Sequence, residues 1–552
     1  MQLNLSKKIT LINKYPVAYL FIAYLVAIVV IYWKARNGLL IDDGMAGLIE
    51  YRKQGLKGWF NSFGFPSLYY THDFFVLLIY NIAGKSSTIW FFTMATLHVA
   101  NACSALVVFH KLYRLLNIRN ADLIAFSGSV LFLLSPYQTE NLAWAATLHY
   151  SISMLIFLLS TYTILHSLHT NKIKKKHVIL ITGLHVAALT CLEISLVFPA
   201  AYFILFLIVF ISKKTKISIS RFVIQLILPL ILTTCLYFIV TKILKGHWVP
   251  HYGSEHLKNF TVGYYLSNTY KYLCKYLLLL HFANYHYREL IYTLCEKHIT
   301  TISILLLASF AITCYIFYKK NKALSFAFIG LCALFFLLLL PSLSMYFMYL
   351  FTPENDRLGY FMSLILYQII SVVLISISLY AGVTLLILFF SIGLFFLTRQ
   401  VNKWGEAAYL HNNLINSFTW LHSKKIYVLN SPSNYKGVYQ FRAEKRLYWA
   451  IHFNTNINLE KNLTSVLSSA YANVNDSSIV TIVNDSTLNV DFITNGGWLM
   501  HDQLGATDYS TKEYSVTVDP WKPSYKIVFH EKPADAVYIY AGNNCFKQVE
   551  GF

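Results

Sequence analysis

The sequence has few charged residues for its length. Asp, Glu, Lys and Arg make up 13% of 552 residues, whereas hydrophobic residues make up 56% and the mean hydropathy is +0.50. Soluble globular domains contain about 25% charged residues. This composition excludes an ordinary soluble protein and predicts a polytopic α-helical membrane protein.

Cysteine pairs and nucleotide-binding motifs are also missing. The eight Cys residues are scattered, without a CxxC and without the spacing of metal ligands, so the sequence implies neither a disulfide framework nor a zinc site. It contains no P-loop, no GxGxxG after a strand and no GxSxG. Any reaction must therefore take its energy from an activated substrate and not from a bound nucleotide.

Positive charge is present, but it is distributed in short groups. The formal net charge of +20 comes from Lys and Arg residues that lie between apolar runs. This pattern is typical of membrane orientation, and we expect no nucleic-acid partner.

The apolar runs predict about eleven membrane spans, since roughly 20 apolar residues cross a bilayer. They cover residues 16–33, 88–110, 122–136, 142–168, 178–195, 196–212, 222–243, 300–318, 323–350, 359–379 and 382–398. Every second loop is basic, for example "NKIKKKH" and "YKKNK", and so is the N-terminus. The positive-inside rule places these segments in the cytoplasm, and it places the other loops and the C-terminal region outside it. We expect a multi-pass protein of the bacterial inner membrane.

Two domains follow from this pattern. Residues 1–399 form the transmembrane domain, in which the outer loops 34–87 and 244–299 contain interfacial helices. Residues 400–552 form a β-rich extracytoplasmic domain. Its predicted strands are "KIYVLN", "SIVTIV", "LNVDFIT", "YSVTV", "YKIVF" and "AVYIYAG".

Acidic and basic side chains gather in the outer loops. Asp42 and Asp43 adjoin the first span, where a carboxylate beside a low-dielectric wall can act as a general base toward an alcohol. The alternative is a helix N-cap. Arg357 either clamps a phosphate leaving group or extends its side chain to the membrane surface. Glu140 is a further candidate site residue, and the alternative is that it only stabilises the first turn of a helix through the helix dipole.

Two further groups of residues indicate a functional site less specifically. His72 and Asp73 are adjacent in "YYTHDFF", so a loop or cap role competes with a catalytic one, and Glu193 lies at the outer end of the fifth span. Four features fall on the same predicted side of the membrane, namely the pair Asp42 and Asp43, Glu140, Glu193 and Arg357. Each alone is weak evidence of a site, and their convergence on one side strengthens it.

Several stretches resemble the transmembrane O-mannosyltransferases that carry tetratricopeptide repeats and related bacterial glycosyltransferases of the GT-C class. "LFLLSPYQTENLAWAATLHYSISMLIFLLS" resembles their "LF…hPvhtEsVaWvagR.dlLsalFfLl", and "IDDGMAGLIE" resembles the acidic pair of their first outer loop. "FFTMATLHVANACSALVVFHKLYRLL", "LTCLEISLVFPAAYFIL" and "TPENDRLGYFMS" are similar to three other family segments in the same order. The likeness covers roughly residues 15–400.

The resemblance implies a GT-C-like fold and an inverting transfer of sugar from a polyprenyl-phosphate monosaccharide. Asp42 is then the preferred general base, with Asp43 next, and Arg357 is the preferred phosphate ligand, with Arg288 and Lys275 as supports. The remaining candidates are Glu140, Glu193, His72, Asp73 and His149. Relatives differ in their use of a divalent metal, so a metal stays an open option and no cofactor is assigned.

The sequence also departs from the family pattern. "THDF" stands where "yRPl" is expected, and Leu148 stands where the family has Arg, so the identity of the sugar donor does not carry over. The tetratricopeptide repeats are missing, and the acceptor can be a glycan, a lipid-linked saccharide or a protein. Two other functions stay open, namely a transporter or flippase, and a ligase or polymerase of lipid-linked saccharides.

Overall fold

The fold is predominantly helical up to residue 418 and rich in strands from residue 425. The computed structural model describes residues 17–37, 57, 67–248, 261–283, 285–343, 353–418, 425–441, 444–455, 459, 462–501, 504–531, 533 and 535–552. Asp42 and Asp43 lie outside the described residues, and so does the interfacial helix that "AGLIEYRKQGLKGWF" (residues 46–60) predicts in the first outer loop, apart from Lys57.

Fifteen helices form the described part of the bundle, and a sixteenth lies in the C-terminal region. They are α1 (Val17–Tyr32), α2 (Tyr70–Ala83), α3 (Ser87–Leu115), α4 (Ala121–Leu133), α5 (Thr139–Ala143), α6 (Leu148–Thr170), α7 (Lys175–Leu189), α8 (Phe198–Ile211), α9 (Ile219–Lys245), α10 (Val262–Leu277), α11 (Tyr285–Lys297), α12 (Ile299–Lys320), α13 (Lys322–Leu343), α14 (Tyr360–Ile377), α15 (Leu379–Asn416) and α16 (Glu444–Thr455). Short 3₁₀ segments at Pro136–Gln138, Glu193–Val197 and Pro353–Gly359 lead into α5, α8 and α14.

The lengths of these helices support a multi-pass membrane protein. Nine helical segments of the described chain are long and apolar enough to cross a membrane, from Val17–Asn37 to Leu379–Asn416. Two of the eleven predicted spans are shorter helices, α4 with 13 residues and α7 with 15 residues. Eleven crossings therefore stay a prediction, because a straight span needs roughly 20 residues.

Polar contacts join the central helices of the bundle. His98 on α3 contacts the Tyr360 hydroxyl at 2.9 Å through Nδ1 and donates to the Leu133 carbonyl at 3.0 Å through Nε2. Asn101, one turn later, donates to the same hydroxyl at 3.1 Å. Hydrogen bonds between helices stabilise packing where water is scarce. They fix α3, α4 and α14 relative to one another, which positions the segments that follow α4 and precede α14.

The last helix of the bundle is longer than the apolar run that predicts it. The run ends at residue 398, whereas α15 continues to Asn416, and the first strand begins at Ile426. Beyond the apolar run α15 is buried by protein, since Trp404, Ala407 and His411 are buried there. The change from helix to strand therefore occurs later than the predicted boundary at residue 400.

The described C-terminal region contains twelve strands in two sheets. The strands are β1 (Ile426–Tyr435), β2 (Val438–Tyr439), β3 (Leu463–Tyr471), β4 (Ser477–Asn484), β5 (Thr487–Ile493), β6 (Trp498–His501), β7 (Leu504–Gly505), β8 (Tyr509–Ser510), β9 (Tyr514–Val518), β10 (Ser524–Phe529), β11 (Val537–Gly542) and β12 (Cys545–Gln548). One sheet has the order β12-β11-β1-β3-β6-β7, with β2 beside β1, and the other has the order β4-β5-β10-β9-β8. All six strands predicted from the sequence are present.

Parallel pairing distinguishes the first sheet from the simple β-rich domain that was predicted. β1 pairs in parallel with both β3 and β11. Parallel neighbours need a crossover connection, and α16 lies in the connection from β1 to β3. Aromatic rings join the two sheets, because the ring of Tyr427 on β1 lies 5.2 Å from the ring of Phe529 on β10.

The C-terminal region packs on the end of the bundle where α15 stops. The Tyr435 hydroxyl donates to Glu406 Oε2 at 2.5 Å, and Gln440 Nε2 donates to the Ala407 carbonyl at 3.1 Å. Lys85, between α2 and α3, donates to the Asn454 carbonyl at 3.0 Å. The two parts of the chain thus meet beside the loops that contain the candidate residues.

Candidate active site

The candidate site lies at the end of the bundle where the α4–α6 connection meets the 3₁₀ segment Pro353–Gly359. Ser135 stops α4 and caps the next turn, because its Oγ accepts a hydrogen bond from the Tyr137 backbone N–H at 3.3 Å. Pro136 then begins a 3₁₀ turn, as its fixed φ favours, and α5 follows directly. This arrangement brings Glu140, in the first turn of α5, to the start of the span that contains α14.

Glu140 and Arg357 form a buried ion pair across 217 residues of sequence. The Arg357 backbone N–H donates to Glu140 Oε2 at 2.7 Å, and its Nη1 donates to Glu140 Oε1 at 2.5 Å. The Glu140 side chain is 0% exposed and that of Arg357 is 17% exposed. The guanidinium also lies 5.1 Å above the Trp144 ring. A guanidinium has five N–H donors, and the contact with Glu140 Oε1 uses the donor on Nη1.

Burial and charge act in opposite directions on the Glu140 carboxyl. The loss of water raises the pKa of Glu140 to about 8, and the neighbouring Arg357 guanidinium opposes that rise. The carboxyl therefore keeps its proton to a higher pH than an exposed glutamate does. A group with such a pKa is suited to exchange protons during a reaction.

A second buried ion pair lies beside the first. Lys275 Nζ on α10 is 2.6 Å from Asp356 Oδ1, and the two side chains are 0% and 4% exposed. The ammonium lies 5.5 Å from the Tyr137 ring, and the Tyr137 hydroxyl donates to the Lys275 carbonyl. Because Asp356 and Arg357 are consecutive, one short turn holds a carboxylate toward α10 and a guanidinium toward α5.

Close packing fixes the turn that carries these charges. A Cβ atom placed on Gly359 would lie 1.6 Å from the Tyr276 hydroxyl oxygen, so a larger residue would have to displace the buried Tyr276 side chain. Glycine therefore allows α10 and the start of α14 to approach, and this approach sets Lys275 against Asp356.

Arg288 and Lys403 extend the positive charge of this region. Arg288, half-buried on α11, interacts electrostatically with Tyr292 and with Lys403. Lys403, on α15, also interacts with Asp356. Lys403 was not predicted, because it follows the last apolar run and carries no motif. Asp356 was not predicted as a site residue either, although it directly precedes Arg357 in "ENDRLGYF".

His72, Asp73 and His149 form a second polar group. His72 Nδ1 lies 3.1 Å from Asp73 Oδ1, and the His72 ring centroid lies 5.2 Å from that of His149. His72 and Asp73 are buried in the first turn of α2, and His72 Nε2 and Asp73 Oδ2 have no hydrogen-bond partner within the described part of the chain. His149 interacts electrostatically with Arg357, which connects this group to the first ion pair.

Glu193 has an anchoring position. Its Oε1 accepts hydrogen bonds from Ser67 Oγ at 2.6 Å and from the Tyr69 hydroxyl at 2.7 Å. These bonds attach the segment before α2 to the 3₁₀ turn that begins α8. The carboxylate is thereby occupied by two hydroxyls of the same chain, and the geometry favours a structural role over contact with a substrate.

The arrangement offers groups for binding a phosphate and for moving a proton. Arg357 and Lys275 supply positive charge, and Glu140 supplies a carboxyl whose pKa is raised by burial. Within the described ranges, no three His, Cys, Asp or Glu side chains are grouped as metal ligands, and the predicted bases Asp42 and Asp43 lie outside those ranges. Comparison with protein-family models and with curated proteins finds no match for this chain.

Proposed function

We propose that the protein is a membrane glycosyltransferase that moves a sugar from a polyprenyl-phosphate monosaccharide to an extracytoplasmic acceptor. The acceptor is a glycan, a lipid-linked saccharide or a protein. The observation that carries this proposal is the pair of buried ion pairs, Glu140–Arg357 and Lys275–Asp356, at one end of an apolar helical bundle. Burying charges costs several kcal/mol per ion, so we infer that these four charged side chains have a function at this position.

In the proposed sugar transfer, the charged side chains have two roles, namely accepting a proton and stabilising the leaving phosphate. The acceptor hydroxyl attacks the anomeric carbon, the bond from that carbon to the phosphate oxygen breaks, and the hydroxyl proton passes to a carboxylate, for which Asp42 is the preferred candidate and Asp43 the next. Negative charge then grows on the departing polyprenyl phosphate. Arg357 and Lys275 stabilise that charge in a site with little water, where such contacts are strong. Attack from the side opposite the phosphate inverts the anomeric centre.

Access from the membrane also supports this class of donor. The lipid tail of a polyprenyl-phosphate donor stays among apolar helices, and its phosphate reaches only the bundle end. Exposed apolar side chains on α9 and α12, such as Leu232 and Leu305, would face lipid. A phosphate site at the end of such a bundle suits this class of donor better than a soluble nucleotide sugar.

The test is transfer of radiolabelled sugar from a panel of polyprenyl-phosphate sugars in membranes that contain the protein. Arg357→Ala should lower turnover about 100-fold, while binding of the donor lipid changes little, because the guanidinium acts mainly on the charge of the transition state. Arg114→Ala is the matched control, since Arg114 pairs with Asp122 at 2.7 Å on the bundle surface.

The proposed general base, Asp42 or Asp43, is tested in the same assay. Loss of transfer in Asp42→Asn or Asp43→Asn, with normal amounts of protein, would identify the base. If no donor of the panel is consumed, or if Arg357→Ala keeps full turnover, the glycosyltransferase proposal is wrong, and a transporter of lipid-linked saccharides becomes the better hypothesis.

A further inference from the structure

Two cysteines of the α10–α11 hairpin approach each other closely. Cys274 Sγ on α10 lies 3.8 Å from Cys295 Sγ on α11, although 21 residues separate them in sequence. Cys295 is 3% exposed, whereas Cys274 is half-buried. Their spacing did not predict this pair, since it matches neither a CxxC nor a metal site.

The surrounding contacts hold the two helices in this register. Lys271, one turn before Cys274, forms an ion pair with Glu296, which follows Cys295. Tyr270 directly precedes Lys271, and its hydroxyl contacts Ser303 Oγ on α12. These contacts hold α10 against α11 and α12 on the side of the hairpin where the two sulfurs approach.

The two thiols differ in reactivity. The hydrogen bond from Cys295 lowers the pKa of the Cys274 thiol, whereas the same contact, together with burial, raises the pKa of the Cys295 thiol. The thiolate is the reactive form in disulfide exchange. Cys274 is thus both the more accessible and the more easily ionised of the two.

We propose that Cys274 and Cys295 form a disulfide in the mature protein, with a thiol–disulfide oxidoreductase or another disulfide compound as the oxidant. Cys274 attacks a sulfur of the oxidant's disulfide, forms a mixed disulfide and releases one thiolate. Cys295 then attacks Cys274 Sγ and releases the second thiol. The protein loses two protons and two electrons, and the oxidant takes them up and becomes a dithiol or two thiols.

This inference rests on the proposed extracytoplasmic placement of the α10–α11 hairpin, because disulfides persist in oxidising compartments. It also concerns the proposed site. Cys274 directly precedes Lys275, so a covalent bond to α11 would hold the backbone of Lys275 in position against Asp356. The disulfide would be a modification that keeps the phosphate-binding end of α10 in place.

The experiment uses the full chain in intact cells. Free thiols are blocked with N-ethylmaleimide before lysis, and the purified protein is digested without reductant and analysed by mass spectrometry. We expect peptides containing Cys274 and Cys295 to be joined, and to separate after treatment with dithiothreitol. Cys545, in the C-terminal region, provides the control, and Cys545→Ser should leave the joined peptides unchanged.

Two outcomes would overturn the proposal. In one, both Cys274 and Cys295 carry N-ethylmaleimide in cells. In the other, the link forms only when purified protein is treated with oxidised glutathione, which would place the hairpin in a reducing compartment. Neither readout involves sugar transfer, so this proposal and the glycosyltransferase proposal can fail separately.

Discussion

The two ends of the helical bundle use charge differently. At one end Glu140, Arg357, Lys275 and Asp356 form ion pairs, and the side chains of Glu140 and Lys275 are 0% exposed. At the other end Lys174, Lys175 and Lys176 precede or begin α7 in exposed positions. Exposed basic residues cost little and are explained by membrane orientation alone. Buried ion pairs are costly, and for this reason the proposed site is placed at the first end.

The largest effect should come from separating a buried pair. Asp356→Asn removes the carboxylate that faces the Lys275 ammonium, and we expect a loss of about 3–5 kcal/mol in the free energy of unfolding. Thermal unfolding in detergent measures it. The double variant Asp356→Asn/Lys275→Met should lose less than the sum of the two single variants.

The surface pair provides the contrast for that measurement. Arg114→Ala breaks the contact with Asp122, in which the Arg114 side chain is 49% exposed, and should cost no more than about 1 kcal/mol. Equal losses for Asp356→Asn and Arg114→Ala would remove the distinction between the two ends.

The pH dependence of stability tests the environment of Glu140. Its pKa in the folded protein is raised to about 8 from 4.5, so the folded state holds this proton more tightly. The stability that the proton provides is complete below about pH 4.5 and is lost as the pH rises to about 8, by up to about 1.4 kcal/mol per pH unit. Melting temperatures of the wild type should fall relative to Glu140→Gln over this range. Parallel curves would show that Glu140 keeps an ordinary pKa.

A smaller effect is expected where the C-terminal region joins the same end of the bundle. Tyr435→Phe removes the hydrogen bond from a buried hydroxyl to Glu406 and should cost about 1 kcal/mol. Unfolding monitored by tryptophan fluorescence measures the loss. Tyr409→Phe, at an exposed position on α15, is the matched control and should change nothing measurable. Equal stability for both variants would mean that this contact does not attach the two parts.

The smallest effect on stability is expected at the basic end, the end of the bundle with Lys174, Lys175 and Lys176. Replacing Lys174, Lys175 and Lys176 by Gln should change the free energy of unfolding by less than about 0.5 kcal/mol, because these side chains are exposed. The fraction of molecules with the opposite orientation should rise instead. Impermeant labelling of a single cysteine introduced into the C-terminal region measures that fraction. A large loss of stability would indicate that the basic end has a packed structure of its own.

Local sequence patterns predicted much of the fold. Runs of apolar residues predicted the helices, since an extended apolar segment in a membrane protein satisfies its backbone only as a helix. Alternation in "LNVDFIT" and "YKIVF" predicted strands that are present. The position where the strands begin was less predictable. Beyond residue 398, α15 continues as a helix because the C-terminal region replaces lipid as its packing partner.

The candidate site, like the fold, was predicted from the sequence only in part. The sequence by itself determined the membrane class, the helices and the strands, and it made Arg357 a candidate site residue, because each depends on residues close together in the chain. Only the tertiary structure decided that Glu140 pairs with Arg357, that Asp356 faces Lys275 and that Cys274 meets Cys295. These partners come from separate helices, and their distances depend on how polar contacts such as His98–Tyr360 and close approaches such as Gly359–Tyr276 pack the helices together.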